Sequence, residues 1–313
     1  MTSELRRRIG DLAPARANLR VRLLAAGFGG GQHRAERRGS GVEFAGHRQY
    51  SPGDDLRHLD RHALLRHGRH LIREFHTETE RALWLIVDAS PSMDFASDGA
   101  QDSKRGFSLL LGAGLASLAR RAGDPVGLTV ARPGPSTSFG PRLGADQYQR
   151  LLAALEQTDE EPLDRKGTVD FVASLEHAAR RSPRGSTIVV LSDLLDSSPA
   201  LGRELQSLCG RRRTLVVVQV LDAAEANFPF RGSVRFQDAE TNLTIDTEAE
   251  RVREGYLQAL ERHSVMLAAS VNEQGGRFVR VLTSERPSEA MTRIRQAIAG
   301  DPGARGAIGS LSP

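Results

Sequence analysis

One uninterrupted apolar run limits what this chain can fold into. Residues 82–87 contain no polar member, and the run ends in the turn Asp88-Ala-Ser-Pro-Ser92. Six consecutive apolar residues bounded by a turn predict a strand that is buried on both faces. Such strands belong to parallel sheets that helices cover. Because ligands bind at the carboxyl ends of strands in open α/β sheets, the turn is the expected position of a binding site.

The chain beyond residue 81 continues this pattern, with strands and helices in alternation. Strands are predicted at 82–88, 125–130, 186–192, 214–221 and 277–282. Helices are predicted at 107–122, 145–157, 169–181, 200–209, 248–271 and 287–299. An antiparallel edge strand at 136–139 and a β-hairpin at 233–236 and 242–245, inserted in the sheet order, complete the pattern. Alternation of this kind predicts an α/β fold with a doubly wound, mostly parallel sheet.

Charge and composition divide the chain into three parts. Residues 1–80 hold 15 Lys or Arg against 10 Asp or Glu, whereas the remainder is close to neutral. We therefore predict a basic N-terminal segment at 1–80, an α/β domain at 81–299 and a disordered, Gly-rich tail at 300–313.

Cysteine content and hydropathy indicate where the protein acts. Cys209 is the single cysteine, so no intramolecular disulfide can form, and we interpret it as a buried, inert thiol. No run of 18 apolar residues occurs, which predicts no membrane-spanning helix. Both observations favour a cytoplasmic protein.

Oxygen-bearing side chains gather in the turn after the first apolar strand. Asp88, Ser90 and Ser92 alternate there, and alternate spacing in a tight turn can direct three oxygens toward one point. Oxygen ligands are those that Mg²⁺, Ca²⁺ and Mn²⁺ prefer. Thr168 precedes a predicted helix and Asp193 follows a predicted strand. Taken alone, each is equally well explained as a helix cap or a turn residue.

Two motifs resemble known families. Asp88-x-Ser90-x-Ser92 resembles the metal-ion-dependent adhesion site of von Willebrand factor A domains. A second stretch resembles the bacterial domain-of-unknown-function family fifty-eight, whose members carry such a segment ahead of an A-type domain. The residues that carry this second resemblance are Glu43, Arg48, Tyr50, Gly53, Asp54, Asp55, Arg57 and Asp60.

The resemblance implies both a site and a role. It makes Ser90, Ser92 and Thr168 direct ligands of a divalent cation, Mg²⁺ foremost and Mn²⁺ or Ca²⁺ as alternatives. Asp88 and Asp193 would act nearby, often through bound water. An acidic side chain of a partner protein would fill the open metal position. Family members are often associated with MoxR-type AAA+ ATPases, which implies an adaptor in the assembly or maturation of another complex.

The family motif at 43–60 has a structural and a partner-binding interpretation. We expect Arg48, Asp54, Asp55 and Arg57 to form ion pairs and turn hydrogen bonds that hold residues 32–80 against the A-like domain. The alternative is that these residues bind a partner.

Enzymatic and nucleic-acid alternatives fit the residues less well. A haloacid-dehalogenase-like phosphatase needs a second Asp two residues after the first, where this chain has Ser90. No Gly-x-x-x-x-Gly-Lys-Ser/Thr loop occurs, which excludes a P-loop ATPase. Nucleic-acid binding through the basic segment lacks a recognisable module. His58 and His62 have i, i+4 spacing but form a weak zinc motif. We therefore predict a protein that is not an enzyme.

Overall fold

A computed structural model describes the protein over part of its chain. The described residues are 43–49, 60, 70–76, 82–98, 100, 102–160, 169–195, 199–210, 212–239 and 243–300. They divide into two compact units, one within residues 33–79 and one that contains everything described from residue 82 onward. The two units are described separately.

The smaller unit contains an antiparallel pair of strands. Strand β1, Glu43–Gln49, pairs with β2, Leu71–His76, and the register shifts between Phe44 and Gly46. The backbone N–H of Asp60 donates to the carbonyl of Leu71 at 2.8 Å. The strand at 43–49 was not predicted.

Most of the family motif lies outside the described residues. β1 contains Glu43 and Arg48, but the ion pairs predicted for this segment stay a prediction. The motif and candidate zinc residues outside the described part of the chain are Tyr50, Gly53, Asp54, Asp55, Arg57, His58 and His62.

The larger unit is built on a six-stranded sheet with helices on both faces. Its strands are β3 Leu83–Asp88, β4 Val126–Ala131, β5 Thr137–Arg142, β6 Thr187–Ser192, β7 Thr214–Leu221 and β10 Arg277–Leu282. Its helices are α1 Lys104–Ala122, α2 Ala145–Glu160, α3 Phe171–Arg181, α4 Pro199–Leu208, α5 Ala223–Asn227, α6 Ala249–Glu273 and α7 Pro287–Ala299. A separate hairpin is formed by β8 Ser233–Gln237 and β9 Thr244–Glu248.

The strand order creates a switch point at β3. The order across the sheet is β10-β7-β6-β3-β4-β5, and only β5 is antiparallel to its neighbour. The chain therefore proceeds from β3 toward one edge and then returns to β6 and proceeds toward the other. The carboxyl ends of β3 and β6 flank the crevice where doubly wound sheets bind ligands. The predicted doubly wound, mostly parallel sheet is confirmed, including its antiparallel edge strand.

Side chains of β3 alternate between two apolar layers. Leu83, Leu85 and Val87 pack in the layer that contains α1, α2 and α7, and Trp84 and Ile86 pack in the layer of α3, α4 and α6. All five are fully buried. Complete burial of such side chains stabilises the fold by about 1.5–3 kcal/mol each. These two layers fix the end of β3 rigidly, so the turn that follows it starts from a defined point.

Three features of the local structure differ from the predictions. α1 begins at Lys104 rather than at residue 107, because the Ser103 side chain accepts a hydrogen bond from the Gly106 N–H and caps the first turn. The short helix α5 was not predicted. The hairpin β8–β9 is not inserted in the sheet order, because β10 pairs directly with β7 over six consecutive residues.

Among the helices that the structure describes, none combines the length and the apolar composition needed to cross a membrane.

Candidate functional site

The turn after β3 places three polar side chains close together. The Asp88 Oδ1 atom accepts a hydrogen bond from the Ser90 N–H at 2.9 Å. The Ser90 and Ser92 hydroxyl oxygens lie 3.0 Å apart and share a hydrogen bond. A short 3₁₀ helix, Pro91–Asp94, follows at once and holds Ser92 in its first turn. The turn therefore presents two hydroxyls beside one carboxylate, as the sequence predicts.

The end of β6 contributes to the same site. The Ser192 hydroxyl donates to Asp88 Oδ2 at 2.6 Å, which joins the carboxyl ends of the two central strands. Asp193 follows and is 4% exposed. Leu194 has a φ of 53°, in the left-handed region that L side chains rarely adopt. Its N–H donates to the Ser192 hydroxyl, and its carbonyl accepts from His263 Nε2 at 2.6 Å. These bonds hold a strained turn in place beside Asp88.

A buried lysine, which was not predicted, binds the second carboxylate. The Lys104 ammonium lies 2.9 Å from Asp193 Oδ2 and 2.6 Å from Glu225 Oε1. Lys104 is the first residue of α1, and Glu225 belongs to α5. The ammonium therefore connects three separate elements at the edge of the sheet where Asp88 lies.

Burial and charge change the acidity of these groups. Burial, together with the nearby Asp193 charge, raises the pKa of Asp88 to about 6. Burial also raises the pKa of Glu225, although Lys104 opposes that effect. Burial lowers the pKa of Lys104, but the two carboxylates raise it further, so its net pKa is above the ordinary value. The site therefore holds a charged ammonium and a carboxyl group whose ionisation is unfavourable in the folded protein.

Asp222 caps α5, the helix that contains the Lys104 partner Glu225. Asp222 is fully buried, and it caps α5 by accepting from the Ala224 N–H at 2.8 Å. Its other oxygen accepts from the Ser97 N–H and the Thr283 hydroxyl. Burial opposes ionisation of Asp222, but these hydrogen bonds outweigh it and lower its pKa below the usual range. Asp222 thus ties the loop after the 3₁₀ helix to both β10 and α5.

The arrangement fits a small, hard cation. Two adjacent ligands of an octahedral Mg²⁺ with bonds of about 2.1 Å lie about 3.0 Å apart. The hydroxyl oxygens of Ser90 and Ser92 have this separation, which is also the length of the hydrogen bond between them, so a cation could replace that bond without moving the two side chains apart. Within the described residues no group of three or more His, Cys, Asp and Glu is arranged to hold a metal, so a cation here depends on the hydroxyls. Oxygen donors alone favour Mg²⁺, Mn²⁺ or Ca²⁺ over Zn²⁺.

Four of the five predicted site residues lie at this edge of the sheet. Asp88 is the last residue of β3, Ser90 and Ser92 follow it in the next turn, and Asp193 follows β6. Thr168 lies outside the described residues, so its assignment as a ligand stays a prediction.

Three further residues of the site were not predicted, namely Lys104, Ser192 and Glu225. The capping-box pattern Asp222-Ala-Ala-Glu225 was the one readable signal, because it marks the start of a helix. No local signal connects Lys104 to partners that are 89 and 121 residues away.

Cys209 lies outside this site. Its thiol is half-buried and donates to the Leu205 carbonyl at 3.6 Å. Burial raises the pKa of the thiol, which disfavours the reactive thiolate.

Comparison with known proteins gives uncharacterized relatives and distant structures. The uncharacterized protein Rv1480 of Mycobacterium tuberculosis is 26% identical over 246 residues, 78% of this chain and 76% of the relative. An aerotolerance-related membrane protein from Bacteroides fragilis is 20% identical and aligns over 70% of this chain and 98% of that chain, with a TM-score of 0.43. The SpRpn10 VWA domain is 8% identical over 73% of this chain and 98% of that chain, with a TM-score of 0.39.

A family profile matches most of the chain. The profile described as "Protein of unknown function DUF58" covers residues 46–266. This is the family that the motif at 43–60 resembles. The match includes the turn after β3 and the end of β6. Because it spans more than half of the 313 residues, the chain belongs to the DUF58 family of proteins of unknown function.

Proposed function

We propose that this protein is a metal-dependent protein-interaction module. The observation that carries the proposal is that the Ser90 and Ser92 hydroxyls and the Asp88 carboxylate lie together in one turn at the carboxyl end of β3. These hydroxyls, with Thr168, would hold a divalent cation, Mg²⁺ foremost and Mn²⁺ or Ca²⁺ as alternatives. Asp88 and Asp193 would supply negative charge from nearby. The position at the switch point of the sheet supports this assignment.

The charge of the ligands determines what the cation can bind. Serine and threonine hydroxyls are neutral, so a metal that they hold keeps its attraction for a further anionic ligand. A carboxylate from a partner protein has the required charge and hardness. We infer that the partner contributes an Asp or Glu side chain to the metal.

Recognition suits these residues better than hydrolysis does. Asp88 accepts hydrogen bonds from Ser90 and Ser192 and has no acidic neighbour two residues on. A phosphatase that uses an Asp nucleophile needs a general acid at that position. We therefore propose that the chain is not an enzyme. Nucleic-acid binding through residues 1–80 is a second candidate, which the excess of Lys and Arg there favours.

Family resemblance supports a specific kind of partner. We propose that the protein is a cytoplasmic adaptor for a MoxR-type AAA+ ATPase in the assembly or maturation of another complex. The N-terminal segment at 1–80 would accompany the A-like domain at 81–299. An ATPase of that type encoded beside this chain is the first partner to test.

Capture experiments with and without metal test the function. The purified protein is immobilised and incubated with the candidate ATPase or native lysate in Mg²⁺ or in chelator. We expect binding in Mg²⁺, loss in chelator, and loss with Asp88→Ala under both conditions. Asp98→Ala is the matched control, because Asp98 is an exposed carboxylate in the neighbouring loop. Equal capture by the wild type in chelator would contradict a metal-bridged mechanism.

A further inference from the structure

The ammonium of Lys104 is buried with two carboxylates. Lys104 is 1% exposed, and its Nζ lies 2.9 Å from Asp193 Oδ2 and 2.6 Å from Glu225 Oε1. Lysine is almost never fully buried unless it is paired. Both contacts have the length of strong, charge-assisted hydrogen bonds. The ammonium is therefore a fixed positive charge inside the protein.

The position of this charge matters because Asp193 is one of the two carboxylates assigned to the cation. Asp88 accepts hydrogen bonds from neutral hydroxyl and amide donors, whereas Asp193 Oδ2 is paired with the charged ammonium of Lys104. The backbone of Asp193 is also held, since its carbonyl accepts from Gln219 Nε2 at 3.1 Å. Asp193 therefore cannot turn freely toward a new cation.

We propose that Lys104 is a built-in cation that competes with the divalent metal for Asp193 and thereby keeps the metal affinity of the site low. This inference rests on the proposed metal site. It assigns to Lys104 the role of a positioning residue, which acts on the cation through Asp193 and through its own charge.

The proposed role has a consequence for partner binding. With Asp193 engaged by Lys104, the cation is held mainly by the turn at 88–92, so its affinity for the protein alone is weak. A carboxylate from the partner then supplies the missing negative charge. The metal and the partner would each bind tightly only when the other is present. When neither is bound, the contacts of Lys104 with Asp193 and Glu225 would hold α1, α5 and the end of β6 together.

Substitution of the lysine tests the competition. Lys104→Met removes the charge and retains the length of the side chain. Removing a positive charge beside a divalent cation should tighten its binding on the order of tenfold or more. The measurement is calorimetric titration of MgCl2 and MnCl2 into wild type and variant. Melting temperatures in chelator and in saturating Mg²⁺ are recorded in parallel. The variant should melt well below wild type in chelator and recover in Mg²⁺, because the metal replaces the lost positive charge.

Matched variants separate this role from a structural one. Lys104→Met combined with Glu225→Gln removes the second unpaired carboxylate, so this double variant should melt closer to wild type in chelator and still bind metal more tightly. Lys104→Arg keeps the positive charge and should not tighten metal binding. Glu225→Gln alone leaves Lys104 on Asp193 and should not tighten it either. A purely structural Lys104 would change melting temperatures and leave the dissociation constant for the metal unchanged.

Each outcome decides between the two proposals. If the metal binds both Lys104→Met variants more tightly than the wild type, Lys104 competes with the metal for Asp193. The same conclusion holds if the variants bind metal and the wild type shows no measurable binding. If the wild type binds metal and the folded double variant binds it no more tightly, Lys104 does not compete with the metal. The metal site itself would still stand. Absence of binding in the wild type and in all variants overturns the metal site and this inference with it.

Discussion

Asp88→Asn in the absence of metal should make the protein's stability less dependent on pH. The ordinary pKa of an Asp side chain is 3.8, and burial with the nearby Asp193 charge raises that of Asp88 to about 6. Between these values the folded protein binds more protons than the unfolded chain. Asp88 therefore makes the free energy of unfolding fall as the pH rises from about 4 to about 6. Above about pH 6 the Asp88 carboxylate is ionised in both the folded and the unfolded protein, so its destabilising effect no longer changes with pH.

The size of the effect follows from the two pKa values. A difference of about two pH units corresponds to about 3 kcal/mol, of which about 2 kcal/mol falls between pH 4.5 and 7.5. An Asn side chain does not titrate, and its amide can still accept from the Ser90 N–H, as Asp88 does. The substitution can also change the free energy of unfolding by an amount that does not depend on pH. That amount shifts the whole profile and leaves its slope with pH unchanged.

Urea denaturation in chelator from pH 4.5 to 7.5 measures this difference. The stability of Asp88→Asn relative to wild type should increase by about 2 kcal/mol across the range. Saturating Mg²⁺ should reduce the increase, because the metal favours the ionised carboxylate of the wild type. If the free energy of unfolding changes with pH in the same way for both proteins in chelator, the conclusion that folding raises the pKa of Asp88 is refuted.

Three other substitutions test the site and its supports. Ser90→Ala should weaken Mg²⁺ binding in a calorimetric titration less than Asp88→Ala does, because it removes a ligand without removing charge. Asp222→Ala should lower the free energy of unfolding in urea by about 2–4 kcal/mol, since it leaves the buried donors of Ala224 and Thr283 and the partly buried N–H of Ser97 without their acceptor. Gly127→Ala should cost about 1–3 kcal/mol in the same assay. Its new Cβ would lie 2.9 Å from the Phe139 carbonyl oxygen and the Pro141 nitrogen.

The sheet could be predicted because each of its central strands contains a continuous apolar run. These runs in β3, β6 and β7 are buried on both faces, which favours apolar residues, and the buried polar residues Asp88, Ser192 and Gln219 lie at or near the carboxyl ends of the strands. The start of α1 was missed because Gly106 looks like a break, whereas its N–H is the donor to the Ser103 cap. The five residues of α5 are too few to show helical periodicity.

The site could be predicted only where its residues are close in sequence. Asp88, Ser90 and Ser92 occupy one turn, and their spacing is visible in the chain itself. Lys104 and Glu225 belong to the site because the fold brings α1 and α5 to the end of β6. Contacts of that kind depend on the packing of helices on the sheet, which no short pattern encodes.

The most direct test of the central claim is a crystal structure with Mn²⁺, measured at a wavelength where manganese scatters anomalously. We expect one anomalous peak within bonding distance of the Ser90 and Ser92 hydroxyl oxygens, beside Asp88. The same map would show whether Thr168 is a ligand and whether Lys104 still contacts Asp193. No peak at the two serines under saturating Mn²⁺, or a peak only elsewhere on the protein, would contradict the account.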